Sequence, residues 1–407
     1  MTNTNQTKYR YEIDGLRTLA VTGATLHNFW ENIFPCGYLG VDMFAVISGY
    51  VITTSLANKD YSSFKEFATG FYFRRIRRLY PALIFMVIVV CLISCFIQPS
   101  FERGTMLTFR TGIFSLLGTS NLYLIKQNSD YFAFIAKLNP FTATWSLGCE
   151  EQFYLIYPII LWSTGFSRKI KLGEKNLSIA IISLSALSLS LFIYFWFADR
   201  TTAYFLMPTR FWEMGCGCLS YLIYKKYKTT NKQILPTLLF ILPLPIIIFI
   251  PLKYALFSTL LVVILTSLII INVENNSISY KLLTNPLSNF IAERSYSLFL
   301  WRWPIVASIL WVNGKLTFLT NFFGIIALFV IASFSYTYIE NTSKNLFSLR
   351  HQIKSIVNLV LINLGISLSL EILNQQLING RLFLYKGYHG SREELTWLVY
   401  DKVSCDF

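Results

Sequence analysis

The sequence predicts an all-α polytopic membrane protein, a bundle of about eleven transmembrane helices. Three observations predict it. Hydrophobic residues make up 54% of the chain and charged residues 14%, whereas a soluble domain carries about 25% charged residues. Apolar stretches of membrane length, roughly twenty residues each, recur along the chain. Lysines and arginines gather in a few connections between them, as cytoplasmic loops do. The net charge of +14 is therefore read as topology and not as a nucleic-acid surface.

In order, the candidate spans are 16–34, 38–57, 80–98, 106–125, 152–166, 177–198, 207–224, 234–250, 254–272, 290–311, 320–340 and 355–373. The clearest basic connections are 59–78, 168–175, 225–232 and 344–354. With the N-terminus inside, two crossings return the chain inside at 59–78. Two more separate 168–175 from 225–232, and four more reach 344–354. The stretch 80–166 needs an even number of crossings and offers three segments. Either 106–125 or 152–166 therefore stays re-entrant or interfacial. The domains follow as 1–345 for the membrane domain, 346–373 for an additional transmembrane helix and 374–407 for a short extracytoplasmic tail. No cleavable signal peptide is expected.

Charged and titratable residues inside such spans are costly and mark function. His27 lies in the first span, while His351 and His389 lie in a basic loop and the tail. Histidine is the usual proton acceptor at neutral pH; a buried histidine can also simply bridge two helices. Glu31, one turn on, either orients the ring or ends the helix as an interfacial charge. Asp14 and Arg17 are one turn apart and can pair. Asp42 sits near one end of the second span. Glu150 and Glu151 follow Trp145-Ser-Leu-Gly148, and only one of two adjacent carboxylates can face a given core. Arg210, Glu213 and Glu340 are expected to form intramembrane ion pairs. Ser48 and Ser146 lack a neighbouring base in sequence. Arg74, Arg75, Arg77 and Arg78 form a compact cationic group, suited to phosphates or to anionic lipid. Tyr72, Phe73 and Tyr80 flank it. There are seven cysteines; Cys216-Gly-Cys218 is too tight for a zinc site, and no metal is expected.

These pieces resemble the acyltransferase-3 family. The resemblance rests on Arg10-Tyr-Glu-Ile-Asp-Gly-Leu-Arg17, a histidine, Gly40-Val-Asp42 and Ser48-Gly-Tyr50. It continues with Arg74-Arg-Ile-Arg-Arg-Leu-Tyr-Pro81 and Thr144-Trp-Ser-Leu-Gly-Cys-Glu-Glu-Gln-Phe-Tyr154. Arg210-Phe-Trp-Glu-Met-Gly215, Ser295-Tyr-Ser-Leu-Phe-Leu-Trp-Arg-Trp-Pro304 and Tyr338-Ile-Glu340 complete it. Each piece is weak, but the ordered series over residues 9–345 is specific. Such proteins are multi-spanning membrane enzymes that O-acylate, mostly O-acetylate, cell-surface glycans. The resemblance implies a core of about ten spans, and an eleventh helix where an outside domain follows. It implies acetyl-CoA or another acyl-CoA as donor and a cell-surface or lipid-linked glycan as acceptor. The partners are then membrane lipids and these substrates, without nucleic acid, in the cytoplasmic (inner) membrane. His27 and Glu150 become the candidate catalytic residues. Arg17, Arg74, Arg75 and Arg78 become the candidate donor-binding residues.

The chain departs from the family pattern at three places. There, arginine and histidine stand about eleven positions apart, on one helix face at about 100° per residue. That position here is Asn28, and His27 falls one short, so a base at His27 requires a local shift in the helix. Ala143 stands where some members have histidine, and Arg302 replaces another. No Gly-Asp-Ser nucleophile motif of an appended hydrolase-like domain occurs in the tail. A flippase of a lipid-linked glycan and a catalytically impaired acyltransferase remain as alternatives.

Overall fold

A computed structural model describes residues 9–57, 61, 63–98, 103–127, 134–228, 236–273, 277–346 and 352–378. His351, His389 and the tail from 379 lie outside the described residues. Among those described, no strand is present. From the N-terminus, α1 (Tyr11–Phe29) and α2 (Gly40–Ala57) are joined by a turn with a short 3-10 segment, Gly37–Leu39. Then come α3 (Phe64–Ile97), α4 (Arg103–Leu116), α5 (Ser120–Lys126), α6 (Phe134–Leu138) and α7 (Trp145–Ser163). They are followed by α8 (Gly173–Ala198), α9 (Arg200–Phe205), α10 (Met207–Lys228), α11 (Leu238–Ile241), α12 (Pro243–Ile247) and α13 (Ala255–Asn272). The chain continues through α14 (Ile278–Leu283), α15 (Pro286–Glu293), α16 (Ser295–Asn313) and α17 (Phe318–Phe334). A π-helical turn, Ser335–Glu340, leads into α18 (Asn341–Leu346), and α19 (Gln352–Ile378) follows.

Six described helical stretches are long and apolar enough to cross a membrane: Gly37–Ala57, Phe64–Ile97, Gly173–Ala198, Leu252–Asn272, Phe318–Ser343 and Gln352–Ile378. The chain is a multi-pass membrane protein. The helices α1, α7, α10 and α16 are 19, 19, 22 and 19 residues long and carry charged motif residues.

Several predicted boundaries are corrected. The first span ends at Phe29, not near residue 34, because the backbone turns at Trp30 ahead of Pro35. The stretch 106–125 is not one helix. The α4 helix stops where Gly118 adopts a left-handed φ of 68°. The amides of Thr119 and Gly118 then return to the carbonyls of Phe114 and Ser115, the Schellman pattern of a helix end. At 1.5 Å per residue α4 is about 21 Å long, short of a roughly 30 Å hydrocarbon core. Residues 234–250 are likewise interrupted. Pro243 and Pro245 donate no amide, although Leu242 keeps helical dihedrals.

The fourth correction concerns α3. The sequence places a loop at 59–78 and a span from residue 80, but one 34-residue helix runs from Phe64 through Pro81. Pro81 cannot donate to the carbonyl of Arg77. The Ser343 hydroxyl lies 3.4 Å from that carbonyl, although its shorter bond, 2.9 Å, goes to the carbonyl of Glu340 in its own turn. Proline is tolerated inside a membrane helix where neighbouring polar groups lie beside the freed carbonyl.

The chain divides into two compact units. The first holds residues 1–71 and 150–296 and the second 72–149 and 297–407. In the first, α10 packs against α2, α8 and α13. A Cβ on Gly217 would meet the Val46 carbonyl, and one on Gly49 would meet the Met214 carbonyl. This reciprocal absence of side chains lets the two backbones approach, as small residues do between membrane helices. Gly217→Leu is expected to separate α2 from α10, and loss of the monodisperse peak in fluorescence-detected gel filtration checks it. A variant that elutes and melts like the parent would mean the contact is dispensable.

In the second unit, Asn363 of α19 donates to the carbonyl of Leu116 at 2.6 Å. Trp311 of α16 donates to that of Leu138 at 2.8 Å. Both acceptors lie at helix ends, where carbonyls lack intrahelical partners.

Candidate functional site

The candidate site in the first unit is built along α1 and α2. On α1 the residues Ile13, Leu16, Ala20, Ala24 and His27 form a buried stripe at helical spacing. His27 therefore points into the unit, only 4% exposed. Its Nδ1 lies 3.0 Å from the Phe34 carbonyl. A carbonyl can only accept, so Nδ1 carries a proton. The Tyr38 ring meets the imidazole edge-on, with centroids 5.5 Å apart. Asn28 is buried too. The shift expected in the helix is absent: α1 runs unbroken through both residues. The buried arc of α1 is wide enough to hold His27 and Asn28 together. Glu31 lies beyond the helix end, so it does not continue the α1 face, and the Phe34 carbonyl fixes Nδ1.

Next to this lies an ion triad. Arg210 pairs with Asp42 at 3.2 Å and with Glu213 one turn away. Its Nε donates to the Tyr204 carbonyl at 3.2 Å, and its guanidinium stacks on the Tyr204 ring, 4.8 Å from the centroid. Tyr204 in turn meets Tyr38 edge-on at 6.2 Å. All three charged residues are at most 2% exposed. The ion pair expected for Arg210 and Glu213 is present, and Asp42 joins it from another helix.

Glu150, on α7, meets α2 further along. Its Oε1 accepts from Ser48 at 2.7 Å and its Oε2 from Tyr154 at 2.9 Å. The sequence reading left Ser48 without a base, and the fold supplies one. Thr53 and Tyr157 share a buried hydrogen bond of 2.6 Å below it. Ser146 donates back to the Ala143 carbonyl within its own turn.

Arg17 pairs with Asp14 at 2.8 Å, as the spacing allowed. Ten residues of helix, about 15 Å, separate Arg17 from His27, so the two do not act as one contact pair. Arg10 is the residue that sequence reasoning underrated. Its guanidinium pairs with Glu12, donates to the Tyr50 hydroxyl at 2.7 Å and to the Ile270 carbonyl at 2.8 Å, and lies 4.0 Å from the Tyr224 ring centroid. These partners make it an anchor for the start of α1 and not a ligand arm.

In the second unit Arg74, Arg75, Arg77 and Arg78 all lie within α3 and are half-buried. At 100° per residue Arg74, Arg75 and Arg78 share an arc of about 100°. Arg77 turns away and covers Phe73, 5.2 Å from its centroid. Phe73 is 1% exposed, so it cannot flank a ligand as the sequence suggested; Tyr72 and Tyr80 are half-buried. Glu340 is buried in the π-helical turn, with the Ser297 hydroxyl 3.4 Å away. Arg302 is buried at 1% exposure and stacks on Phe299. Cys36 is buried as well, and burial pushes its thiol pKa up, which makes it a poor target for labelling reagents.

No solved structure matches the chain. O-acetyltransferase OatA of Staphylococcus aureus strain NCTC 8325 / PS 47 is 30% identical over 354 residues. The same protein of strain COL gives the same identity. The match takes in 82% of this chain and 57% of each relative, so the chain spans little more than half their length. The acyltransferase domain family matches residues 10–339. That range contains His27, the Arg210 triad, the Ser48–Glu150 pair and the α3 arginines, and the chain belongs to the acyltransferase-3 family.

Proposed function

We propose that the chain is an integral membrane O-acyltransferase of the cytoplasmic membrane. It moves an acyl group, most simply acetyl, from acyl-CoA to a hydroxyl of a cell-surface or lipid-linked glycan. Family membership and the O-acetyltransferase names of its relatives support the reaction class. The observation that carries the mechanism is the buried His27, fixed through Nδ1 by the Phe34 carbonyl. With Nδ1 donating, Nε2 is the ring nitrogen whose chemistry suits taking a proton from an acceptor hydroxyl. The arc of Arg74, Arg75 and Arg78 supports binding of coenzyme A phosphates by charge-assisted hydrogen bonds. About eleven spans, with 168–175 on the cytoplasmic side, fit the basic connections.

Purified protein in nanodiscs with radiolabelled acetyl-CoA and a lipid-linked glycan fraction tests the reading. Label moving from coenzyme A to the glycan is the expected result. Intact acetyl-CoA after long incubation, with the protein still folded, would overturn it. Arg74→Gln/Arg78→Gln is expected to weaken acyl-CoA binding more than tenfold, since a hydrogen bond to a charged group is worth about 1.5–3 kcal/mol. Equilibrium binding at two salt concentrations measures it, and an unchanged affinity would remove these arginines from the donor site.

A further inference from the structure

Ser48 departs from the other hydroxyls of α2. Thr53, Thr54 and Ser55 donate back to carbonyls of their own helix, those of Gly49, Tyr50 and Ile52. That is the ordinary resting place of a hydroxyl on a helix. Ser48 instead donates across to Glu150 Oε1 at 2.7 Å. Tyr154 holds the other carboxylate oxygen, so Glu150 is oriented from both sides. Ser48 and Glu150 are each only partly buried, which leaves the hydroxyl approachable. A nucleophile, a base within hydrogen-bond reach and a third group orienting that base form the arrangement of covalent catalysis.

We infer that Ser48 is a transient acyl acceptor, activated by Glu150, on the path between the acyl thioester and the glycan. The inference rests on the acyltransferase reading. In the first step Glu150 takes the Ser48 proton and Ser48 Oγ bonds to the acyl carbon. The carbon–sulfur bond breaks, and coenzyme A leaves as thiolate. The thiolate takes the proton from Glu150, which frees the carboxylate. In the second step Glu150 takes the proton of the acceptor hydroxyl, whose oxygen bonds to the acyl carbon. The Ser48 oxygen–carbon bond breaks, and Ser48 recovers that proton from Glu150. The sum is one thioester and one alcohol giving one ester and one thiol. Tyr154 acts here as a positioning residue.

Radiolabelled acetyl-CoA is mixed with the full chain in nanodiscs, quenched in acid over a time course and digested for mass spectrometry. One acetyl group on the Ser48 peptide is expected in the parent. Ser48→Ala is expected to lose both that label and glycan transfer, the latter by at least about a hundredfold. Ser48→Cys, which preserves size and a nucleophile, is expected to take the label as a thioester cleaved by neutral hydroxylamine. Thermal melting of each variant separates loss of chemistry from loss of fold. Tyr154→Phe is expected to shift the pH profile of labelling without moving the labelled residue. Unchanged transfer by Ser48→Ala, or label found on another residue, would overturn the inference alone. A parent that never consumes acetyl-CoA would overturn the acyltransferase reading and this inference with it.

Discussion

Replacing His27 with alanine is expected to lower acyl transfer by about 10²–10⁴-fold, the usual contribution of a positioned general base. The folded protein should survive the change. His27 contributes one hydrogen bond to the Phe34 carbonyl and one edge-on ring contact with Tyr38. Losing such a bond costs on the order of 1 kcal/mol. The more decisive variant is His27→Gln. A glutamine amide can still donate to the Phe34 carbonyl, but it has no basic nitrogen. If His27 serves only to bridge α1 and the turn that follows, His27→Gln should work nearly as well as the parent. If it takes the proton, His27→Gln should fold like the parent and transfer like His27→Ala. Asn28→Ala should transfer like the parent, since an amide takes up no proton at neutral pH. Full transfer by His27→Gln would leave this chain without the base proposed for it.

The fold class was legible because the length and apolarity of α2, α8, α13 and α19 leave few alternatives. The polar helices were legible only through their charges. Where the reading failed, local features decided. Gly118 turns the chain between α4 and α5 with a positive φ that a hydropathy window does not register. Pro81 reads as a boundary, yet α3 runs unbroken through it with the Ser343 hydroxyl 3.4 Å from the carbonyl it orphans, and no local pattern announces so distant a neighbour. The site was legible residue by residue but not pair by pair. Asp14 and Arg17 pair within one turn and were readable from spacing. Ser48 and Glu150 are 102 residues apart and meet only when α2 and α7 pack. His27 was readable as a titratable group in a span, but the Phe34 carbonyl that sets its tautomer is not a sequence signal. The helix-face test of His27 against Asn28 failed because α1 is buried over more than one narrow stripe.

The Arg210 triad yields the other large effect, on stability instead of chemistry. Arg210→Leu should leave Asp42 and Glu213 buried without their cation. Breaking a buried ion pair by removing one partner costs about 3–5 kcal/mol, because an uncompensated charge stays behind. That is a large share of the total stability of a typical domain, about 5–15 kcal/mol. Folded yield should therefore collapse, and the melting temperature of any recovered protein should drop. The partners should not behave additively. Asp42→Asn and Glu213→Gln, added to Arg210→Leu, remove the stranded charges along with the cation, so the triple variant should recover much of the lost stability. Residues in one network show such coupling, typically about 0.5–3 kcal/mol. Tryptophan fluorescence melting reads the effect directly, because Trp196 and Trp212 pack on Phe192 beside the triad. A triple variant no more stable than Arg210→Leu would show that the guanidinium acts through its stacking on Tyr204 and Phe192 and not through its charge. Recovery would instead assign the triad to holding α2 against α10, the packing that carries Ser48 and sets the turn over His27.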